Sequence, residues 1–129
     1  MNEANRMRSI MLGLSTPGVR LFRQNVGTGW TGDVTRLKDG AILIKNPRPL
    51  QAGLCKGSSD LIGWRSLTVT PEMVGQKIAL FLAVEVKGER GRATDEQRKF
   101  IDRVRLDGGL AGIARTVEDA MGIAEPMNA

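Results

Sequence analysis

Ile78-Ala79-Leu80-Phe81-Leu82-Ala83-Val84 runs directly into Glu85-Val86-Lys87 and then Gly88. Seven consecutive apolar residues predict a central strand covered on both faces, although periodicity alone is equally compatible with a buried helical segment. The β-branched and aromatic content favours a strand. Because side chains alternate across a strand, Glu85 and Lys87 share one face, about 6 to 7 Å apart along it, and Val86 points to the other. A carboxylate and an ammonium side by side at a strand end admit two readings, a structural ion pair or part of a reactive site. The tripeptide alone does not choose between them, and for an isolated Glu-x-Lys the ion pair is the commoner.

Upstream, Lys56-Gly57-Ser58-Ser59-Asp60 leads into Leu61-Ile62-Gly63-Trp64, a second short apolar segment that opens on an acidic residue. If the two strands pair as antiparallel neighbours with Asp60 beside Glu85, the carboxylates converge and repel unless a proton or a cation intervenes. A hard divalent cation meets that need. Mg²⁺ takes oxygen ligands and keeps several waters, so two carboxylates, a backbone carbonyl and waters would complete its shell. Lys87 would then orient what the metal activates.

Composition removes several alternatives. The chain has 129 residues and is expected to form one domain over 1–129. It contains no histidine, which excludes histidine zinc sites and every mechanism with a histidine base. The single Cys55 excludes a cysteine zinc cluster and an intramolecular disulfide and fits a reducing, cytoplasmic setting. Lys and Arg total 19 against 14 acidic residues, giving +5, which favours a polyanionic partner. Arg6, Arg8, Arg20, Arg23, Arg36, Lys38, Arg48 and Lys56 concentrate that charge in the first half. No apolar run approaches the roughly 20 residues needed to span a membrane, and no N-terminal apolar stretch resembles a secretory signal, so neither membrane insertion nor secretion is expected.

Along the chain, Asn2 or Glu3 to Leu14 predicts an amphipathic helix with Met7, Ile10, Met11 and Leu14 as core contacts. Val19 to Val26 predicts a strand. Gly27-Thr28-Gly29-Trp30-Thr31-Gly32 spells G-x-G-x-x-G, but no helix signal follows and no acidic residue stands about 20 positions on, so a mobile glycine-rich loop is expected rather than a dinucleotide site. Trp30 in that loop is either a packing anchor or a stacking platform for DNA. Ala41 to Lys45 predicts a short strand broken by Asn46-Pro47-Arg48-Pro49, and Thr70-Pro71-Glu72 predicts a helical turn between the two acidic strands. Thr94 and Gln97 form a capping-box pattern ahead of a helix whose buried stripe is Phe100, Ile101 and Val104. Leu110 to Ala114 predicts a last strand, Thr116 to Met121 the start of a terminal helix, and Glu125 onward a frayed end.

Gly57-Ser58-Ser59-Asp60, Glu85-Val86-Lys87-Gly88, Gly91-Arg92 and Gln97, taken in order, resemble the virus-type replication-repair nuclease (VRR-NUC) domain, in its standalone phage and bacterial form, a branch of the PD-(D/E)XK nuclease superfamily. The resemblance extends from Glu3 through Leu21-Phe22-Arg23-Gln24-Asn25-Val26-Gly27 to Gly112-Ile113. Ser59 stands where the superfamily usually has proline, a replacement common in this branch. The resemblance implies an α/β, restriction-endonuclease-like core, a central mixed β-sheet flanked by helices in the order α-β-β-β-α-β.

It also implies a divalent-metal-dependent endonuclease acting on DNA, with Mg²⁺ or Mn²⁺ held by Asp60, Glu85 and the Val86 carbonyl, and with Lys87 assisting the attacking water. Glu3 either reaches the metal through water, as the resemblance implies, or serves the first-turn helix dipole. Gln97 lies near the active site in related nucleases or closes the capping box, and one amide is expected to fill only one of these roles. Lys56, Ser58, Ser59, Arg23 and Arg92 are candidate DNA contacts. The resemblance further implies a homodimer acting on branched DNA such as four-way junctions, in a bacterial cell or phage-infected host. The competing reading is a non-catalytic basic nucleic-acid-binding module.

Overall fold

The computed structural model describes residues 2–126. Its elements are α1 (Glu3–Leu14), β1 (Val19–Arg23), β2 (Gly27–Arg36), β3 (Ile42–Ala52), β4 (Leu61–Arg65), a 3-10 turn at Pro71–Met73, β5 (Leu82–Val86), α2 (Asp95–Leu106), β6 (Leu110–Ala114) and α3 (Val117–Ala124). The class is α/β, as expected. The order differs from α-β-β-β-α-β: five strands precede α2 among the described residues, and α3 follows β6. In place of one central mixed sheet, the described residues form three two-stranded pairs, β1–β4, β2–β3 and β5–β6. The antiparallel β4–β5 pairing considered from the sequence is not formed among the described residues, where β4 pairs with β1 and β5 with β6.

The chain groups into two compact units. Residues up to Arg20 and from Gly63 onward form the first, Leu21–Ile62 the second, and the boundary runs through β1 and β4.

The first unit is built on a β-α-β crossover. β5 and β6 run parallel, in register from Leu82↔Leu110 to Val86↔Ala114, with α2 connecting them. Parallel neighbours require such a connection. Ile101 and Val104 of α2 bury against Ala111, with Trp64, Phe81, Ala83 and Ile113 packed around them. Gly109 permits the tight return from helix to strand, since a Cβ there would lie 2.7 Å from Val104 Cγ1 and 2.9 Å from the Phe81 carbonyl oxygen. Trp64 also packs against Phe81 at 4.6 Å between ring centroids.

Asp107, the C-cap of α2, fastens that end. Its carboxylate accepts from Trp64 Nε1 at 2.9 Å and from Arg103 Nε at 3.1 Å, and pairs with Arg103 Nη2 at 3.1 Å. Its carbonyl accepts from Ser66 Oγ at 2.7 Å. The Trp64 N–H, and behind it Arg103, hold the carboxyl below its ordinary value, against the opposing effect of partial burial. A depressed native value means that the unfolded chain binds a proton more readily, so this stabilisation is complete above the unfolded value of about 4 and is lost as pH falls through the native one. In urea titrations between pH 7 and 3, wild type is expected to lose unfolding midpoint steeply below about pH 4. Asp107→Asn should start from a lower midpoint at pH 7 and show a shallower acid limb.

Two expectations about burial are corrected. Of the long apolar run only residues 82–84 lie in β5, and that strand is covered on one face: Phe81, Ala83, Glu85 and Lys87 are half-buried, while Leu82, Val84 and Val86 are exposed. The helix stripe of α2 covers a single face, and β6 is the one strand beside β5 among the described residues. Likewise α1 forms where predicted, with Asn2 Oδ1 capping Asn5 N at 2.9 Å, yet none of its residues is buried and Ile10 is 50% exposed. Its Met, Ile and Leu stripe is therefore not part of this core.

The second unit contains a long antiparallel ribbon, β2 against β3, in register from Gly27↔Ala52 to Arg36↔Ile42. The glycine-rich segment expected as a mobile loop is strand. At the register shift between Thr31 and Asp33, a Cβ on Gly32 would meet Lys45 O at 2.7 Å and Ile44 Cγ2 at 2.8 Å, so glycine lets the strands close there. Asn46-Pro47-Arg48-Pro49 does not break β3. Asn46 takes φ 51° opposite the irregularity and donates from Nδ2 to Asp33 Oδ2 at 3.1 Å. The prolines are tolerated because each strand of a two-stranded ribbon has an open edge where no N–H is required. Trp30, placed by the sequence in a loop, sits opposite Pro49 on the ribbon, 61% exposed.

The 3-10 turn, the α2 capping box, β6 and α3 fall where the sequence puts them. β1 stops at Arg23 rather than Val26. Of the expected frayed end, Glu125 is the C-cap of α3, and residues 127–129 lie outside the described residues. No helix among the described residues is long and apolar enough to cross a membrane.

Candidate functional site

In the first unit, β5 delivers Glu85 and Lys87 to one half-buried face. Lys87 Nζ lies 3.3 Å from Glu85 Oε1, their side chains 20% and 30% exposed. The second partner of that oxygen comes from α2, where Gln97 Nε2 donates to Glu85 Oε1 at 2.8 Å. The same carboxamide accepts at Oε1 from Thr94 N at 2.9 Å, while Thr94 Oγ1 accepts from Gln97 N at 3.1 Å. The sequence reading that one amide fills only one role is therefore corrected. A carboxamide is acceptor at one end and donor at the other, and Gln97 uses each end for a different task.

Both contacts to Glu85 fall on Oε1; among the described residues Oε2 accepts from no donor. Val86 presents its carbonyl differently. Phe81 O accepts from Leu110 N at 2.8 Å and Lys87 N donates to Ala114 O at 3.0 Å, so residues of that parity bond to β6. Peptide groups alternate along a strand, which turns the Val86 carbonyl toward the edge of β5 that no described strand occupies. A cleft of about 380 Å³, lined in part by Ala83, Glu85, Glu96, Gln97, Phe100 and Ile101, adjoins the carboxylate.

Beyond Lys87 the chain turns, with Gly91 N donating to Gly88 O at 3.1 Å. A Cβ at Gly91 would stand 3.4 Å from Lys87 Cβ and Cδ, so this turn lies along the lysine stem. Arg115 Nη1 donates to the carbonyls of Gly88 and Glu89, pinning the turn to the end of β6. Arg92 leaves it exposed.

In the second unit, exposed Asp60 directly precedes β4, and its carbonyl accepts from Gln24 N at 2.9 Å. The loop before it is folded on itself. Ser58 Oγ donates to Cys55 O at 2.7 Å, Ser58 N donates to Cys55 O at 3.0 Å, and Gln24 Nε2 donates to Ser58 Oγ and to Ser59 O, each at 2.6 Å. Ser58 thus commits its one hydroxyl proton within the loop, whereas Lys56, Ser59 and Arg23 are exposed. Cys55 is an exposed free thiol. Glu3 sits exposed in the first turn of α1, the position that favours an acidic residue by the helix dipole. Among the described residues, no three His, Cys, Asp or Glu side chains gather where they could hold a metal.

Gln24 and Arg115 are the residues that sequence reasoning passed over. Both act on backbone carbonyls of distant loops, and neither spacing nor composition signals such contacts.

The family model described as "VRR-NUC domain" matches residues 42–118, more than half of the chain. The chain belongs to the VRR-NUC family. No curated protein and no solved structure matches it. VRR-NUC domains are nuclease domains, generally dependent on a divalent metal, so the family supports nuclease activity on DNA. The matched VRR-NUC segment contains Lys56, Ser58, Ser59, Asp60, Glu85, Val86, Lys87, Arg92 and Gln97; Arg23 and Glu3 precede it.

The divided role of Gln97 yields a prediction. Gln97→Ala should cost about 1 kcal/mol through the lost cap. Gln97→Glu preserves the acceptor that the capping box needs but replaces the donor to Glu85 with a second carboxylate, so without metal it should also melt below wild type despite the intact cap, and cleavage should fall at least about tenfold. Melting curves and cleavage rates measured on the same preparations check this.

Proposed function

We propose that this VRR-NUC chain is a divalent-metal-dependent endonuclease that hydrolyses DNA phosphodiester bonds, with residues 1–129 acting as one nuclease domain. The observation that carries the reading is Glu85, one oxygen held by Lys87 and Gln97 and the other without a donor among the described residues, next to a Val86 carbonyl on the edge of β5 that no described strand occupies. The donors are hard oxygens and the chain has no histidine, a set suited to Mg²⁺ or Mn²⁺ rather than zinc. Asp60, Glu85 and the Val86 carbonyl would hold the ion, with Glu3 contributing through water. When bound, such an ion polarises a phosphoryl oxygen and lowers the pKa of a coordinated water.

The protein's own groups do the rest. Gln97 keeps Glu85 in one orientation. Lys87 donates hydrogen bonds to the attacking water and offsets negative charge developing on the phosphate. Arg23, Lys56, Ser58, Ser59 and Arg92 are the proposed DNA contacts, and the +5 net charge supports a phosphate-rich partner. We extend the reading to branched DNA such as four-way junctions, to a homodimer, which gives a small domain two symmetric contacts on one junction, and to the cytoplasm of a bacterial cell or phage-infected host.

The test incubates purified protein with supercoiled plasmid, linear duplex and synthetic junctions in Mg²⁺, Mn²⁺ or EDTA, with Asp60→Ala as contamination control. Metal-dependent cleavage that is strongest on junctions and absent in Asp60→Ala is expected. The 3.3 Å Lys87–Glu85 pair is also what a non-catalytic basic binding module would show. Binding of DNA without cleavage in any metal would establish that reading instead. Mass measurement of the native protein reads the dimer.

A further inference from the structure

A site carboxylate on a loop must be held if it is to work, and Asp60 lies on such a loop. Residues 53–60 belong to no ladder, and Gly53 and Gly57 take φ 83° and 89°, left-handed backbone that favours glycine. One residue restrains it. Gln24 Oε1 accepts from Leu54 N at 3.0 Å, Nε2 donates to Ser58 Oγ and Ser59 O at 2.6 Å each, and Gln24 N donates to Asp60 O at 2.9 Å. Both ends of the loop are thereby tied to the residue following β1. The side chain is half-buried, and Ser58 passes the tie on to Cys55 O at 2.7 Å.

We propose that Gln24 is a positioning residue for Asp60, fixing the loop that presents this carboxylate through its carboxamide and main-chain N–H. The proposal rests on the nuclease reading for the role of Asp60, whereas the restraint of the loop stands on the hydrogen bonds alone. Only a carboxamide fits, because the site demands one acceptor toward Leu54 and a donor group toward Ser58 and Ser59. Glutamate keeps the first contact and turns an acceptor toward the Ser59 carbonyl. Methionine keeps the size and loses all three side-chain contacts. Groups that orient a metal ligand change affinity or activity about 10- to 100-fold when removed.

The experiment compares wild type, Gln24→Met and Gln24→Glu by amide hydrogen exchange, calorimetric titration with Mn²⁺ and cleavage of a plasmid. Gln24→Met is expected to accelerate exchange at least about tenfold across 54–60 but not in α2 or β6, to weaken Mn²⁺ binding about tenfold, and to lower kcat with KM within about threefold. Gln24→Glu should fall between. Wild-type exchange and Mn²⁺ affinity in both variants would overturn the proposal, as would equal acceleration throughout the molecule, which marks general destabilisation. If wild type neither binds Mn²⁺ nor cleaves, the nuclease reading fails separately. Exchange across 54–60 then decides the positioning claim, unchanged protection in Gln24→Met overturning it and selective loss upholding it.

Discussion

Lys87→Met is expected to lower kcat about 10³-fold while leaving the protein folded. The contrast follows from what the ammonium does in each state. In the folded protein it pairs with Glu85 at 3.3 Å from a position 20% exposed, and pairs with solvent access contribute about 1 kcal/mol or less. Methionine preserves the apolar stem that lies against Gly91 and leaves the main-chain bond from residue 87 to Ala114 untouched. Stability should therefore change little. In cleavage the ammonium is proposed to meet charge that exists only at the transition state, where a lost donor in a preorganised site costs about 10²- to 10³-fold, and a lost proton-handling group as much again. Lys87→Arg should not restore the rate, since a planar guanidinium does not reproduce a compact point donor. Retention of more than a tenth of wild-type activity by Lys87→Met, at matched folding by circular dichroism, would remove Lys87 from the reaction.

Gly53→Ala should be the most damaging small substitution in the second unit, costing about 3 kcal/mol or more. Its φ of 83° strains any residue with a Cβ, and that Cβ would press onto the Asn25 carbonyl oxygen and stand 2.8 Å from Val26 Cα. Neither neighbour is a flexible side-chain end; both are main chain. Gly57→Ala is the matched control, with φ 89° but open space around its Cβ, and should lose only the conformational term of about 1 to 2 kcal/mol. Urea midpoints for the two variants, compared with wild type, give the difference. Equal losses would mean that Gly53 is needed for its dihedral alone and that the close approach to Asn25 carries no energetic weight.

What the sequence revealed, and what it hid, divides along the range of the interactions. The α2 cap, two of its three expected buried residues, Ile101 and Val104, and the end of β5 were legible because capping boxes, helical stripes and strand alternation are properties of neighbours in sequence, whereas Phe100 of the same stripe is 40% exposed. The ribbon was not. Gly27 to Gly32 and Asn46 to Pro49 each look like breakers alone, and only when paired across the register shift do they become a strand irregularity. Burial of α1 and of the outer face of β5 was overestimated for a related reason: a hydrophobic stripe shows that a face can be covered, not that an element lies beside it. At the candidate site, Glu85, Lys87 and Asp60 could be nominated from the sequence, whereas the hold of Gln24 on the Asp60 loop and of Arg115 on the turn after Lys87 depends on contacts 30 to 36 and 26 to 27 positions apart.

The split amide of Gln97 has a consequence for how the site reports its own occupancy. One end of that amide helps to start α2 and the other restrains Glu85. Any cation that draws Glu85 toward itself therefore acts on the first turn of a helix whose inner face is the core of the unit, and coupling of this kind is reciprocal. A stronger cap, by holding Glu85 ready, should tighten the ion, and the ion should in turn change amide protection at Thr94 through Arg98. On the proposed metal-binding role of Glu85, the beginning of α2 would serve as a thermodynamic gauge of the ion, read by hydrogen exchange without any DNA present.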